Sequence, residues 1–180
     1  TEVSHLAEKY LNPDALADTL AAVNDFQERF SSFLTVKSGD ENFSTYCSKN
    51  LPFQVLYQSF VSRSFAQTQK GYREIGFREI QDLFASLYYF TAGGQSALVR
   101  TLILDWAAQV FEFGYANHNF FWKGKEAGKW SDDALWLHQA VGRYVRLTGD
   151  ASILDADAPL ADGTGKKRSL YETLKAILRY

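Results

Sequence analysis

The stretch Gly71-Tyr72-Arg73-Glu74-Ile75-Gly76-Phe77-Arg78-Glu79-Ile80-Gln81-Asp82 decides how this chain is read. It sets two arginines, three carboxylates and a glutamine beside two aromatic rings and two glycines, directly before the apolar run Leu83 to Phe90. Fixed charge next to a core segment is costly unless it is paired or meets a ligand. A polar substrate is therefore sought here first. Read as a helix entered near Gly76, the segment places Phe77, Ile80, Leu83, Phe84 and Leu87 on one face at steps of three and four. Arg78 and Asp82 then fall one turn apart on another face, with Glu79 close by.

Outward from that stretch the helical pattern repeats. Asn12-Pro13-Asp14 reads as a cap followed by a proline in the first turn, and Leu16, Leu20, Val23, Phe26, Phe30 and Phe33 follow at helical spacing. Ser38-Gly39-Asp40 interrupts. A second helical pattern runs from about Glu41 to Gln69, with a bend expected near Asn50 because Pro52 removes a backbone donor. The third helix, Phe77 to Phe90, ends at Thr91-Ala92-Gly93-Gly94, where glycine suits a left-handed cap. A fourth runs from Gln95 to Phe113 and closes at Gly114. The loop Tyr115 to Trp130 carries Asn117, His118, Asn119, Phe120, Phe121 and Trp122. Ser131 caps a fifth helix, Asp132 to Leu147, which stops at Thr148-Gly149-Asp150, and Lys166 to Tyr180 makes a sixth. No stretch alternates strictly enough for a half-buried strand. The expected class is all-α, built from antiparallel helical hairpins of unequal connection length. Residues 1–40 read as a lead-in helix and 41–180 as the hairpins.

Composition narrows the function. The 180 residues are 46% hydrophobic and 16% aromatic with a net charge of −2, which suits a filled core and offers no basic field for nucleic acid. One cysteine, Cys47, cannot form an internal disulfide. No run approaches the roughly 20 apolar residues of a membrane helix, so a cytoplasmic protein without membrane or nucleic-acid partners is expected. The three histidines are too scattered for a metal site. Methionine is absent, position 1 included, so the chain reads either as a piece of a longer polypeptide or as a sequence from which methionine positions have been lost.

The ordered set Arg73-Glu74-Ile75-Gly76-Phe77-Arg78-Glu79-Ile80-Gln81-Asp82, Ser131-Asp132-Asp133-Ala134-Leu135-Trp136-Leu137 and Thr148-Gly149-Asp150 resembles the catalytic barrel of the inverting glycoside phosphorylases of the cellobiose and chitobiose phosphorylase clan, which includes the β-1,3-glucan phosphorylases. The resemblance covers about residues 45 to 155. It implies an (α/α)6 barrel that cleaves a β-glucosidic bond in an oligosaccharide with inorganic phosphate, releasing α-glucose 1-phosphate. Phosphate is a co-substrate and no other cofactor is implied. A homodimer is the assembly it allows.

In that family the residues matching Arg73 and Glu79 hold hydroxyls of the reacting sugar, and the one matching Arg78 supports them. Asp82, Asp132, Asp133, His118 and Trp122 complete the candidate substrate-binding set. Glutamate replaces the family's aspartate at Glu74 and Glu79; one methylene moves a carboxylate by roughly an ångström in a preorganised site, and this departure points to the β-1,3-glucan branch or a neighbour of it. The family's general acid lies in a Trp-Asn-Asp motif that does not occur here, so it is expected beyond Tyr180, with the phosphate-binding residues.

Each candidate has a plainer alternative. Arg73, Arg78, Glu79 and Asp82 would serve equally as an ion-pair network at a helix entrance. Asp132 and Asp133 suit a helix cap, His118 a solvated loop, and Trp106, Trp136 and His138 a core. Lys166-Lys167-Arg168 reads as a solvated charge run. A phosphate-independent glycoside hydrolase and a non-catalytic carbohydrate-binding helical scaffold remain the alternatives to a phosphorylase.

Overall fold

The structure, a computed structural model, describes residues 1–32, 34–54, 78–121, 124–126 and 130–180. They fall into two compact units, Thr1–Phe53 and Gln54–Tyr180.

In the first unit α1 (Glu2–Tyr10) is started by Thr1, whose hydroxyl accepts from the Ser4 amide. Helix α2 (Pro13–Ser32) begins as its sequence dictates: the Asn12 side chain accepts from the Asp14 amide at 3.0 Å, and Pro13, which has no amide to orphan, takes the first position. Asp40 then caps α3 (Glu41–Thr45), accepting from the Asn42 and Phe43 amides. Around the expected bend, Tyr46–Asn50 forms a π turn, and the Leu51 amide reaches back five residues to the Tyr46 carbonyl. A widened turn just ahead of Pro52 makes room for a ring that would otherwise crowd the preceding turn. The pattern from 55 to 69 lies outside the described residues, as does Phe33.

The second unit runs β1 (Arg78–Glu79), α4 (Ile80–Ala92), α5 (Ser96–Ala107), β2 (Asn119–Phe121), β3 (Gly124–Glu126), α6 (Leu135–Thr148), a 3-10 turn (Ala151–Asp155), β4 (Asp157–Pro159), β5 (Lys167–Ser169) and α7 (Leu170–Arg179). Its core is the set of apolar stripes: Leu87 and Phe90 of α4, Val99, Leu102, Ile103 and Trp106 of α5, Leu137, Val141 and Tyr144 of α6, Leu170 and Ile177 of α7. Steps of three and four keep each stripe on one face. Burying each large side chain contributes about 1.5 to 3 kcal/mol. Helices α4, α5 and α6 pack against one another, and α7 packs on α5 and α6. Arg143 fastens α6 to α4: its guanidinium carbon lies 3.5 Å from the Phe84 ring centroid and 3.3 Å from that of Tyr88, and its Nη1 donates to the Phe84 carbonyl at 3.0 Å. Gly94 (φ 72°) and Gly149 (φ 74°) end α4 and α6 in the left-handed conformation that the sequence predicts for such stops.

The predominance of packed helices is as expected, but an all-α reading is too simple. Two small antiparallel sheets join the helix ends. In one, β2 lies between β1 and β3; in the other, β4 pairs with β5. Consequently the third helix starts at Ile80, and Arg78 and Glu79 belong to a strand, paired with Phe120 and Asn119. The fourth helix stops at Ala107 instead of Phe113, and the sixth begins at Leu170 after the strand Lys167–Ser169. Strands of two or three residues are too short to carry an alternation pattern. Arg168, read as part of a solvated run, is half-buried: it donates to the carbonyls of Phe111 (3.1 Å) and Glu112 (2.8 Å) and to Thr173 Oγ1 (3.1 Å).

Candidate functional site

Four polar side chains are buried near the end of α5 and the start of α6: Gln109, Asn117, Asn119 and Asp133. After Ala107 the chain turns back on itself, with Val110 bridged to Ala116 and the Phe111 amide donating to the Tyr115 carbonyl at 2.7 Å. The base of this loop is closed twice. The Asn117 amide donates to the Gln109 carbonyl at 3.0 Å, and the Asn117 side-chain Nδ2 donates to Gln109 Oε1 at 3.3 Å. Gln109 is itself held by its Nε2, which donates to the Asp105 carbonyl at 3.4 Å.

The closed loop delivers His118 and Asn119. His118 Nδ1 lies 2.9 Å from Asp133 Oδ1, with 17% and 6% of the two side chains exposed. An ionised carboxylate only accepts, so Nδ1 is the nitrogen that carries the proton in this contact. The Trp130 ring sits 6.0 Å from the imidazole. Asn119 opens β2 opposite Glu79 of β1 and Glu126 of β3. Strand pairing thus brings the backbone of Arg78–Glu79 alongside the segment that holds His118 and Asn119, next to Asp133.

The paired aspartates divide their work. Asp132 is exposed; its Oδ2 accepts from Trp136 Nε1 at 3.1 Å, one turn along, and Trp136 packs on Phe84 with ring centroids 5.1 Å apart. Its backbone carbonyl accepts from the Leu135 and Trp136 amides. Neither aspartate, nor Ser131, caps α6 through its side chain: the cap position is Ala134. The capping expectation is corrected here, because both carboxylates have side-chain donors that compete better for them. The solvated-loop reading of His118 is corrected likewise. Asp82 lies in the first turn of α4, while Arg73 and Trp122 lie outside the described residues.

Sequence reasoning passed over Asn117, Asn119 and Gln109. The signal available was the Asn117-His118-Asn119 run set against Phe120-Phe121-Trp122, polar residues in a segment otherwise rich in rings. Two further donors lie close in the fold. Trp106 Nε1 and the Tyr115 hydroxyl are buried with no hydrogen-bond partner among the described residues, and Trp106 meets Phe120 edge to face with centroids 5.0 Å apart. Burial, with the Asp133 charge adding to it, pushes the Tyr115 hydroxyl above its usual range, so it remains a neutral donor. A buried carboxylate, a half-buried imidazole and nearby amide, indole and phenol groups are thus collected at this end of α5. Among the described residues no group of three or more His, Cys, Asp or Glu is placed to hold a metal ion. No described helix is long and apolar enough to cross a membrane.

Residues 26–180 match the family model described as "Glycosyl hydrolase 94 superfamily, catalytic domain". The chain is similar to the cyclic beta-(1,2)-glucan synthase NdvB of Rhizobium meliloti (strain 1021), 30% identical over 167 residues, covering 91% of this chain and 6% of that protein. It is also similar to the cellobionic acid phosphorylase of Neurospora crassa, 24% identical over 169 residues, 90% of this chain and 20% of that one. A shorter stretch of 50 residues, 28% of this chain and 6% of the relative, is 44% identical to the N,N'-diacetylchitobiose phosphorylase of Vibrio proteolyticus. The chain therefore spans a fifth or less of the length of each of these relatives.

Proposed function

Because the chain belongs to the glycosyl hydrolase 94 superfamily, through its catalytic domain, we propose that it forms the sugar-binding part of an inverting phosphorylase. In this reading an (α/α)6 barrel, completed by the rest of the protein, cleaves a β-glucosidic bond with inorganic phosphate and releases α-glucose 1-phosphate. The observation that carries the proposal is the meeting of Arg78–Glu79, His118–Asn119 and Asp133 through the pairing of β1 with β2. Two of the relatives bear the name of phosphorylases, which supports the use of phosphate.

Inverting phosphorolysis needs one carboxylic acid to protonate the leaving oxygen, while phosphate attacks the anomeric carbon from the opposite face; no second catalytic carboxylate is required. The residues of this chain would bind and orient. Arginine and carboxylate groups grip sugar hydroxyls through charge-assisted hydrogen bonds, and rings such as Trp130 cover the apolar face of a pyranose. Arg73, Arg78, Glu79 and Asp133 are proposed for the first role, with His118 oriented by Asp133; the acid and the phosphate site are assigned to other parts of the complete protein. The substrate class is a β-linked gluco-oligosaccharide. The Glu74 and Glu79 substitutions favour a β-1,3 linkage and the name of the glucan synthase adds β-1,2.

That last relative supports a second reading, in which the same site runs in the synthetic direction and glucose 1-phosphate serves as donor. Both readings meet one experiment. The complete protein is incubated with β-1,2-, β-1,3- and β-1,4-linked gluco-oligosaccharides, with and without phosphate, and then with glucose 1-phosphate and acceptor. Phosphate-dependent release of glucose 1-phosphate from one linkage is expected; glucose release indifferent to phosphate would establish the hydrolase instead, and no turnover in either direction the non-catalytic scaffold.

A further inference from the structure

We propose that Gln109 and Asn117 form an amide clasp that positions the proposed site, fixing His118 and Asn119 in register with Asp133 and β1. The inference rests on the sugar-binding reading for its kinetic consequence, and on the geometry alone for its structural one.

The loop between Gln109 and Asn117 is closed by two parallel bonds between the same two residues, backbone to backbone at 3.0 Å and side chain to side chain at 3.3 Å. Both residues are buried, with Asn117 2% exposed, so water does not compete for the amides and the closure is strong in its surroundings. The Gln109 Nε2 bond to the Asp105 carbonyl ties the clasp to the last turn of α5. That helix is among the most completely buried parts of the unit: Val99, Leu102, Ile103, Trp106 and Ala107 are all buried. The clasp therefore refers a loop to a rigid element.

What the clasp holds is close at hand. Asn117 precedes His118, whose Nδ1 contact with Asp133 is 2.9 Å long, and Asn119 enters the sheet opposite Glu79. One bond along the chain separates the clasp from the imidazole. A hydrogen bond fades over a few tenths of an ångström, so releasing Asn117 would loosen the His118–Asp133 contact before it disturbed the helices. Nothing in the amide chemistry makes Gln109 or Asn117 a proton donor to a reacting atom; both are positioning residues, two steps removed from the sugar.

The test uses the complete protein and three variants: Asn117→Ala, Gln109→Ala, and the exchange Gln109→Asn with Asn117→Gln, which keeps one amide on each side and the summed length of the two side chains. Two measurements are made on each. Hydrogen–deuterium exchange at the His118 C2 position, followed by mass spectrometry of the peptide, reports how tightly the imidazole is held. Steady-state kinetics with the gluco-oligosaccharide and phosphate report the site, at a temperature where the melting curve shows every variant folded. Each alanine variant is expected to speed C2 exchange at His118 severalfold and to lower kcat/KM by about tenfold to a hundredfold, the range that a misplacement of around an ångström produces. The exchanged pair is expected to recover most of both. Alanine variants that melt lower yet keep wild-type His118 exchange would overturn the clasp as a positioning device and leave it a stability feature. If the wild-type protein turns over none of the oligosaccharides, the functional reading fails by itself, and the His118 exchange rates still decide the clasp.

Discussion

Replacing Gly114 by alanine strikes the turn that ends the clasped loop. Gly114 has φ +105°, a region that L-residues rarely occupy, and a Cβ added there would lie 2.2 Å from the Ala176 carbonyl oxygen, 2.6 Å from its carbon and 3.0 Å from the Ile177 nitrogen. These are backbone atoms of α7 and cannot rotate away. To restore van der Waals contact α7 must retreat by roughly an ångström, and overpacking of that kind costs about 1 to 3 kcal/mol. The dihedral adds about 1 to 3 kcal/mol. The loss of glycine's freedom in the unfolded chain returns less than about 1 kcal/mol. The net expectation is about 1 to 5 kcal/mol of destabilisation.

A control separates the two costs. Gly163 also has positive φ, +69°, but nothing lies within 4 Å of an added Cβ, so Gly163→Ala should incur the dihedral cost alone, about 1 kcal/mol. The assay is native-state hydrogen exchange across a urea series on the complete protein, read on the peptide that contains α7 (Leu170–Arg179). This follows local opening without requiring the whole protein to unfold as one unit. Gly114→Ala should lower the opening free energy of α7 by at least about 1 kcal/mol more than Gly163→Ala, the clash contribution alone. Equal effects from the two variants would refute the close approach of the 111–115 turn to α7.

Asp133→Ala should destabilise the protein by about 2 kcal/mol and Asp133→Asn by about 1 kcal/mol, because the first strips a half-buried imidazole N–H of its acceptor and the second only of the charge; thermal melts of the two variants check the order. Glu79→Gln should lower kcat/KM by about tenfold or more, as a charge-assisted grip becomes a neutral one, with little change in melting temperature; a folded variant with wild-type kinetics removes Glu79 from the site. His138, on α6, is held below the ordinary imidazole range chiefly by burial, against an opposing contribution from the Leu174 backbone. The unfolded chain then binds the proton more readily, so the cost is nil above the unfolded value near pH 6.5 and grows as pH falls below it. Stability should therefore decline with falling pH less steeply in His138→Leu than in the wild type, which urea midpoints between about pH 7.5 and 5 would register.

Much of the helical framework was legible because its causes are local. The Asn12–Pro13 start of α2, the stops at Gly94 and Gly149, and the stripe Leu98, Leu102, Trp106 in α5 each depend on residues within a turn or two. Helix α1 escaped notice since none of its residues is buried, and without a buried face there is no strong stripe to read. Arg78–Glu79 misled for the opposite reason. Phe77, Ile80, Leu83 and Phe84 do recur at helical spacing, and the pattern runs smoothly back through 78 and 79; what makes those two residues extended is a partner at Asn119–Phe120. Pairing with a distant segment leaves no trace in a window of a dozen residues.

The candidate site was half legible by the same rule. Asp132 and Trp136 stand four apart on one helical face, so their bond at 3.1 Å follows from spacing. Asp133, its neighbour, reaches across to His118, and nothing local links them. Yet the composition of the loop held a physical clue. Burying Gln109, Asn117, Asn119 and Asp133 at one end of α5 costs desolvation that hydrogen bonds at best offset, and an apolar filling of similar volume would hold the helices as well or better. The apolar stripes of α4, α5, α6 and α7 already supply the packing. A polar end to a well-packed helix is therefore a cost that packing does not explain; the bonds within it, Asn117 to Gln109 and His118 to Asp133, offset that cost in part and fix the segment that pairs with β1.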